Sequence, residues 1–140
     1  TENKIMKRLT FCFFFLALAS GLFAQQREAG ARRATEEARV LYQLDEEQAT
    51  EMYVIQERWL RNLASIEELR EADYYRFLQK KNSAREGAMA SIRRLLREGQ
   101  MEIFNQQLAS RRKEEAAVAA RLKAEGASRE EIQIALWELE

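Results

Sequence analysis

The chain has no proline, no histidine, one cysteine and five glycines among its 140 residues. Without histidine there is no imidazole for a metal site and no Ser-His or Cys-His catalytic pair. One cysteine cannot build a disulfide framework. Neither sign of charge is in excess, with 23 basic and 23 acidic residues, so nothing demands a nucleic-acid partner. The carboxylates stand beside no glycine-rich loop and no nucleophile motif, so the sequence points to no enzyme, no metal and no cofactor.

What remains is helix-forming material. Ala, Glu, Arg, Gln and Leu dominate, a third of the residues are charged, and few residues break a helix. The length allows at most one domain. The expected fold class is all-α.

The front of the chain has the layout of a secretory signal peptide. From Met6, Lys7 and Arg8 form a short basic region, and residues 9–23 form an apolar run that ends in small residues near Ala24. The run is short for a spanning helix. Cleavage after Ala24 and cleavage after Ala19 both fit. Cys12 follows Phe11, which is too large for a lipobox. The division expected is residues 1–24 as signal peptide, starting at Met6, and residues 25–140 as a helical domain. Removal of Lys4, Lys7, Arg8 and Glu2 leaves 20 basic and 22 acidic residues, a net charge of −2, and no cysteine. A thiol-free mature chain suits an oxidising compartment.

Only two aspartates occur, Asp45 and Asp73, and each precedes a helical pattern as a cap would. Helices are expected over residues 26–43, 45–69, 73–97 and 100–124, with a short last one opened by the capping-box pattern Ser128-Arg129-Glu130-Glu131. The first has a thin apolar face of Ala31, Ala34, Ala38 and Leu41. The second carries Met52, Ile55, Trp59, Leu63 and Ile66 at steps of three and four, with Gln48 on the same stripe. The third carries Tyr74, Phe77, Leu78, Ala88, Ile92 and Leu95, with Lys81 and Arg85 in the middle of the stripe. The fourth carries Met101, Phe104, Leu108, Val118 and Leu122, with Arg111 and Glu115 spaced to pair. A basic pair on an apolar face either snorkels and pairs within the core or belongs to a mixed basic and apolar working surface. Tyr74, Leu78, Lys81, Arg85 and Arg111 are the candidates for that surface.

One phrase is said twice. "QLDEEQATEMY" holds Leu44 and Gln48; "RLLREGQMEIF" holds Leu96 and Gln100. Each is Leu-x-x-x-Gln at the start of a helix, followed by an apolar and aromatic pair. The two copies resemble the Leu-Thr-x-x-Gln motif of the Spy/CpxP-like periplasmic proteins, over roughly residues 43–113, and "LFAQQ" is similar to the leader endings of Bacteroidetes relatives. The resemblance implies elongated helical hairpins forming a thin, curved homodimer. It implies a periplasmic, ATP-independent chaperone or envelope-stress protein that holds unfolded clients, with no nucleic acid and no membrane contact beyond an uncleaved leader. The alternatives are a regulatory partner in an envelope signalling system and a membrane-tethered structural coiled coil. Two departures stand out. Asp45 replaces the motif's Thr and keeps a capping oxygen, whereas Arg97 has none, so the second helix either starts less cleanly or runs through with a bend at Gly99. The His-dependent metal binding of some relatives does not carry over.

Overall fold

A computed structural model describes residues 2–139 and the side chains of residues 21–139. The regular elements are α1 (Glu2–Tyr42), α2 (Glu46–Ile66), α3 (Leu69–Ala72), α4 (Tyr74–Leu95), α5 (Met101–Ala124) and α6 (Arg129–Glu138), with one 3-10 turn over Glu98–Gln100. The fold is all-α, and no strand occurs among the described residues. The side chains of the expected leader lie outside the described residues up to residue 20. The helix expected from residue 26 is the second part of the longer α1. Among the described residues no helix is long and apolar enough to cross a membrane.

The helix starts follow the capping chemistry. Asp45 accepts a hydrogen bond from Gln48 N at 2.9 Å, and Asp73 accepts one from Arg76 N at 3.0 Å. Ser128 and Glu131 cap each other's backbone N–H groups. These bonds satisfy donors that the first helical turn leaves free. The stops are as specific. At the end of α5, Gly126 takes φ +85° while Ala127 N donates to Leu122 O and Gly126 N to Lys123 O. That is a Schellman closure, which glycine adopts without a Cβ clash. At the end of α1 the same 6→1 bond, Leu44 N to Arg39 O, is closed with Gln43 at φ +54°.

α1 packs on α2, and α2 packs on α4. α4 and α5, although consecutive, make few close backbone contacts, and α6 lies against both. The thin alanine face of α1 is what lets it approach. A Cβ built at Gly30 would come within 3.1 Å of Leu60, and Ala31 beside it is fully buried. The main core is one small cluster of Ala38, Tyr42, Leu44, Met52, Leu96 and Phe104, joined by partly buried residues such as Ile92, Met101 and Leu108. Met52 and Phe104 are 0% and 1% exposed. The second and third stripes therefore bury only part of their length. Trp59, Leu63 and Ile66, expected inside, are half-buried.

Two boundaries differ from the sequence expectation. The helix expected over residues 45–69 ends at Ile66, and a separate turn, α3, makes the corner before Asp73. The chain does not run through from α4 into α5. Leu96 and Arg97 are extended, and a 3-10 turn precedes α5, so the second motif breaks the helix rather than bending it at Gly99.

Candidate functional site

The two Leu-x-x-x-Gln copies meet. Gln48 Nε2 donates to Gln100 Oε1 at 2.7 Å, and Gln100 Nε2 donates to Gln48 Oε1 at 3.1 Å. Each oxygen also accepts from the backbone that starts its own helix, Gln48 from Asp45 N at 3.3 Å and Gln100 from Arg97 N at 2.9 Å. Each amide nitrogen also reaches the residue before the other motif. Gln48 Nε2 donates to Leu95 O at 3.0 Å, and Gln100 Nε2 lies 3.3 Å from Gln43 O and 3.0 Å from Tyr42 O. The hydrogen bonds are reciprocal between two different segments of one chain. Leu44 and Leu96 are buried beside it, and Met52 and Phe104, one helical turn past each glutamine, fill the core below. Gln48 is 3% exposed, so its amide has no access to water and must be satisfied by the protein.

The residues that follow the two leucines have a joint role. Arg97 Nη2 lies 2.6 Å from Asp45 Oδ2, so the second positions of the two motifs form an ion pair across the clasp. Both side chains are largely solvated, which limits what the pair contributes. The Asp45 carboxyl is held below the usual aspartate range, first by the hydrogen bond from Gln48 N and then by the one from Arg97. Arg97 offers no acceptor to the α5 start, so only the Gln100-to-Arg97 half of the reciprocal cap forms there. Tyr42, which the sequence stripe omitted, is buried at the same place and donates its hydroxyl to Gln107 Oε1. Burial pushes its phenol above the ordinary value.

The candidate client surface is not one open face. Leu78 is 2% exposed and serves as packing, a correction to its expected place on the surface. Tyr74 is exposed, with its hydroxyl donating to Glu138 of α6 at 2.7 Å. Arg111 pairs with Glu115 at 2.9 Å, as its spacing suggested, and also donates to Leu139 O at 3.0 Å. Lys81 and Arg85 line a cleft with Trp59, Asn82, Trp137 and Leu139. Tyr75 meets Trp137 edge-on at 5.3 Å. The short last helix thus lies beside the basic pair of α4.

Open apolar surface lies elsewhere. Val40 is 72% exposed and Val54 57%. Val54 sits on a groove of about 320 Å³ between α2 and α4, with Ile55, Leu95, Glu51, Arg58 and Arg94. Ser91 stands between the two guanidinium groups and accepts from Arg58 at 2.8 Å and from Arg94 at 3.2 Å. A larger groove of about 650 Å³ between α1 and α2 has the same mixture, with Phe23, Leu60 and Ala64 beside Arg27 and Arg33. No group of three or more His, Cys, Asp or Glu side chains able to hold a metal occurs among the described residues. Compared with models of protein families, with curated proteins and with solved structures, the chain matches none.

Proposed function

We propose that this chain is a Spy/CpxP-like protein of the periplasm that holds unfolded or partner proteins, without ATP, on mixed basic and apolar helical grooves. The observation that carries the reading is the groove between α2 and α4. Val54 stands open to solvent there, on a groove lined also by Ile55, Leu95, Arg58, Arg94 and Glu51. Apolar groups beside cations in a groove suit loose contact with unfolded, acidic segments. The larger groove between α1 and α2 supports the same reading. Cleavage of the leader after Ala24 would take Phe23 away and open Leu60 and Ala64 further.

Two copies of Leu-x-x-x-Gln at helix starts, and a leader ahead of them, support the family and the compartment. Apolar surface left uncovered on several helices supports a homodimer, which light scattering of the mature chain tests directly. The functional test is aggregation of several unrelated client proteins in the presence of the mature chain. The reading expects general suppression at low salt, weaker at moderate salt. Val54→Ser combined with Arg58→Gln and Arg94→Gln is expected to remove most of it at unchanged helicity. Suppression of one protein alone would favour a regulatory partner, and suppression of none would overturn the holding function.

A further inference from the structure

Several arginines of this chain find a carboxylate one helical turn away, as Arg61 does with Glu57 and Arg121 with Glu125. Arg58 and Arg94 do not. The residue one turn before Arg58 is Val54, and those before Arg94 are Ala90 and Ser91. Both guanidinium groups turn instead to one neutral oxygen, Ser91 Oγ, at 2.8 and 3.2 Å. That hydroxyl donates its own proton to Gly87 O at 3.0 Å, so it is fully used. A guanidinium carries five N–H donors, and Ser91 takes one from each. Two cations from different helices are thus gathered at one point. Both are exposed to solvent, and neither has an ion-pair partner among the described residues.

The apolar part of the same groove adjoins this point. Val54 and Arg58 are four residues apart on α2, about 6 Å along its axis. Ile55 and Leu95 line the groove with them. In an extended chain, side chains two residues apart share a face at about 6.6–6.8 Å, whereas neighbours point to opposite faces. We propose that this groove selects, among unfolded segments, those that carry an acidic side chain two residues from a large apolar one, the carboxylate meeting Arg58 and Arg94 and the apolar side chain meeting Val54. The proposal rests on the holding function assigned to this groove and names the class of segment held. Guanidinium groups match carboxylates in shape as well as charge. Glu51, on the groove at the other side of Val54, repels an acid there and so orients the segment. Because both arginines are exposed, the selection is moderate.

The test follows the Val54 methyl resonances of the full chain by NMR during titration with four short unstructured peptides. Three share one composition and place Glu and Phe next to each other, two apart and three apart. The fourth has Gln for Glu at the two-apart spacing. The two-apart Glu peptide is expected to bind about fivefold more tightly than each of the others. Its advantage over the Gln peptide is expected to shrink with salt and to disappear in Arg58→Gln/Arg94→Gln. Equal affinity across the three spacings, equal affinity of the Glu and Gln peptides, or no shift of Val54 with any of them would overturn the proposal. Should the double variant fail to fold, the spacing comparison on the unaltered chain decides alone. Client aggregation measured on the same preparation keeps the two readings apart. Suppression without spacing selectivity removes the selection and leaves the holding function standing, and selective binding without suppression does the reverse.

Discussion

Gln48 and Gln100 exchange amide hydrogen bonds in both directions, at 2.7 and 3.1 Å, although 52 residues separate them. Each glutamine starts its own helix and closes on the other. The second copy of the motif is therefore the partner that the first one needs. Each amide satisfies the other's donor and acceptor, together with backbone groups at the broken ends of α1 and α4. The clasp ties the start of α2 to the start of α5.

Burial separates the residues of the apolar stripes by energy. Phe104→Ala is expected to cost about 3–5 kcal/mol, as is usual for a buried aromatic. Met52→Ala, at an equally closed site, is expected to cost about 2–5 kcal/mol. Trp59→Ala, at a half-buried site on a cleft, is expected to cost less than Phe104→Ala. Urea denaturation of the three variants checks the order, and a larger loss for Trp59 would place the core wrongly.

Gln43 carries strain that glycine would not. At φ +54° it occupies the left-handed region, where a side chain costs about 1–2 kcal/mol. The clasp uses its backbone carbonyl, which any residue supplies. Gln43→Gly is expected to stabilise the chain by about 0.5–1 kcal/mol after the extra freedom of glycine in the unfolded state is deducted. Thermal melting showing a loss would mean that the Gln43 side chain matters in its own right.

The ion pair across the clasp predicts an acid dependence. The Asp45 carboxyl titrates lower in the folded chain than in the unfolded one, through its bonds to Gln48 N and Arg97. A depressed carboxylate contributes stability above its unfolded pKa and loses that contribution as pH falls through the folded value. Glu67 and Glu131 are shifted the same way, by Arg70 and Ser128 respectively. Asp45→Asn retains an oxygen to cap Gln48 N but gives up the charge. Its deficit in melting temperature is expected to be present near neutral pH, to shrink as pH falls below the ordinary aspartate range, and to vanish once the folded carboxyl is protonated. A deficit that persisted unchanged into acid would rule out the charge as its source.

α6 buries none of its residues fully and is held by contacts of Tyr74, Tyr75 and Arg111. Such an element opens on its own. Hydrogen exchange is expected to be faster in residues 129–138 than in α2, and faster still in Trp137→Ala. Protection of α6 equal to that of α2 would show that it belongs to the main cooperative unit.

The helices were legible because aspartate caps, Gly126 and the apolar spacing are local signals. The position of Gln48 on the inner stripe of α2 was legible too, as was the pairing of Arg111 with Glu115. What sequence could not supply was the meeting of segments. A glutamine at a helix start reads as a local cap, and nothing in its neighbourhood says that the partner is another glutamine 52 residues away. The repeat itself was the available signal. Arg97 looked like a failed cap because its partner, Asp45, belongs to the other copy. Whether Lys81 and Arg85 pair within the core or form a working surface could not be read, because a short helix such as α6 carries too weak a pattern to predict where it docks. Tyr42 went unremarked because it ends α1, where the alanine stripe gives no reason to expect an aromatic inside.

The most direct measurement is a double-mutant cycle on the clasp, with Gln48→Leu, Gln100→Leu and the double variant unfolded in urea. Each single change removes one amide and leaves the other, with its backbone partners, unsatisfied, at an expected cost of about 1–3 kcal/mol. If the two copies form one reciprocal unit, the double variant loses less than the sum of the singles, with a coupling of about 0.5–3 kcal/mol. Strictly additive losses would contradict that claim and return each glutamine to the role of an independent helix cap.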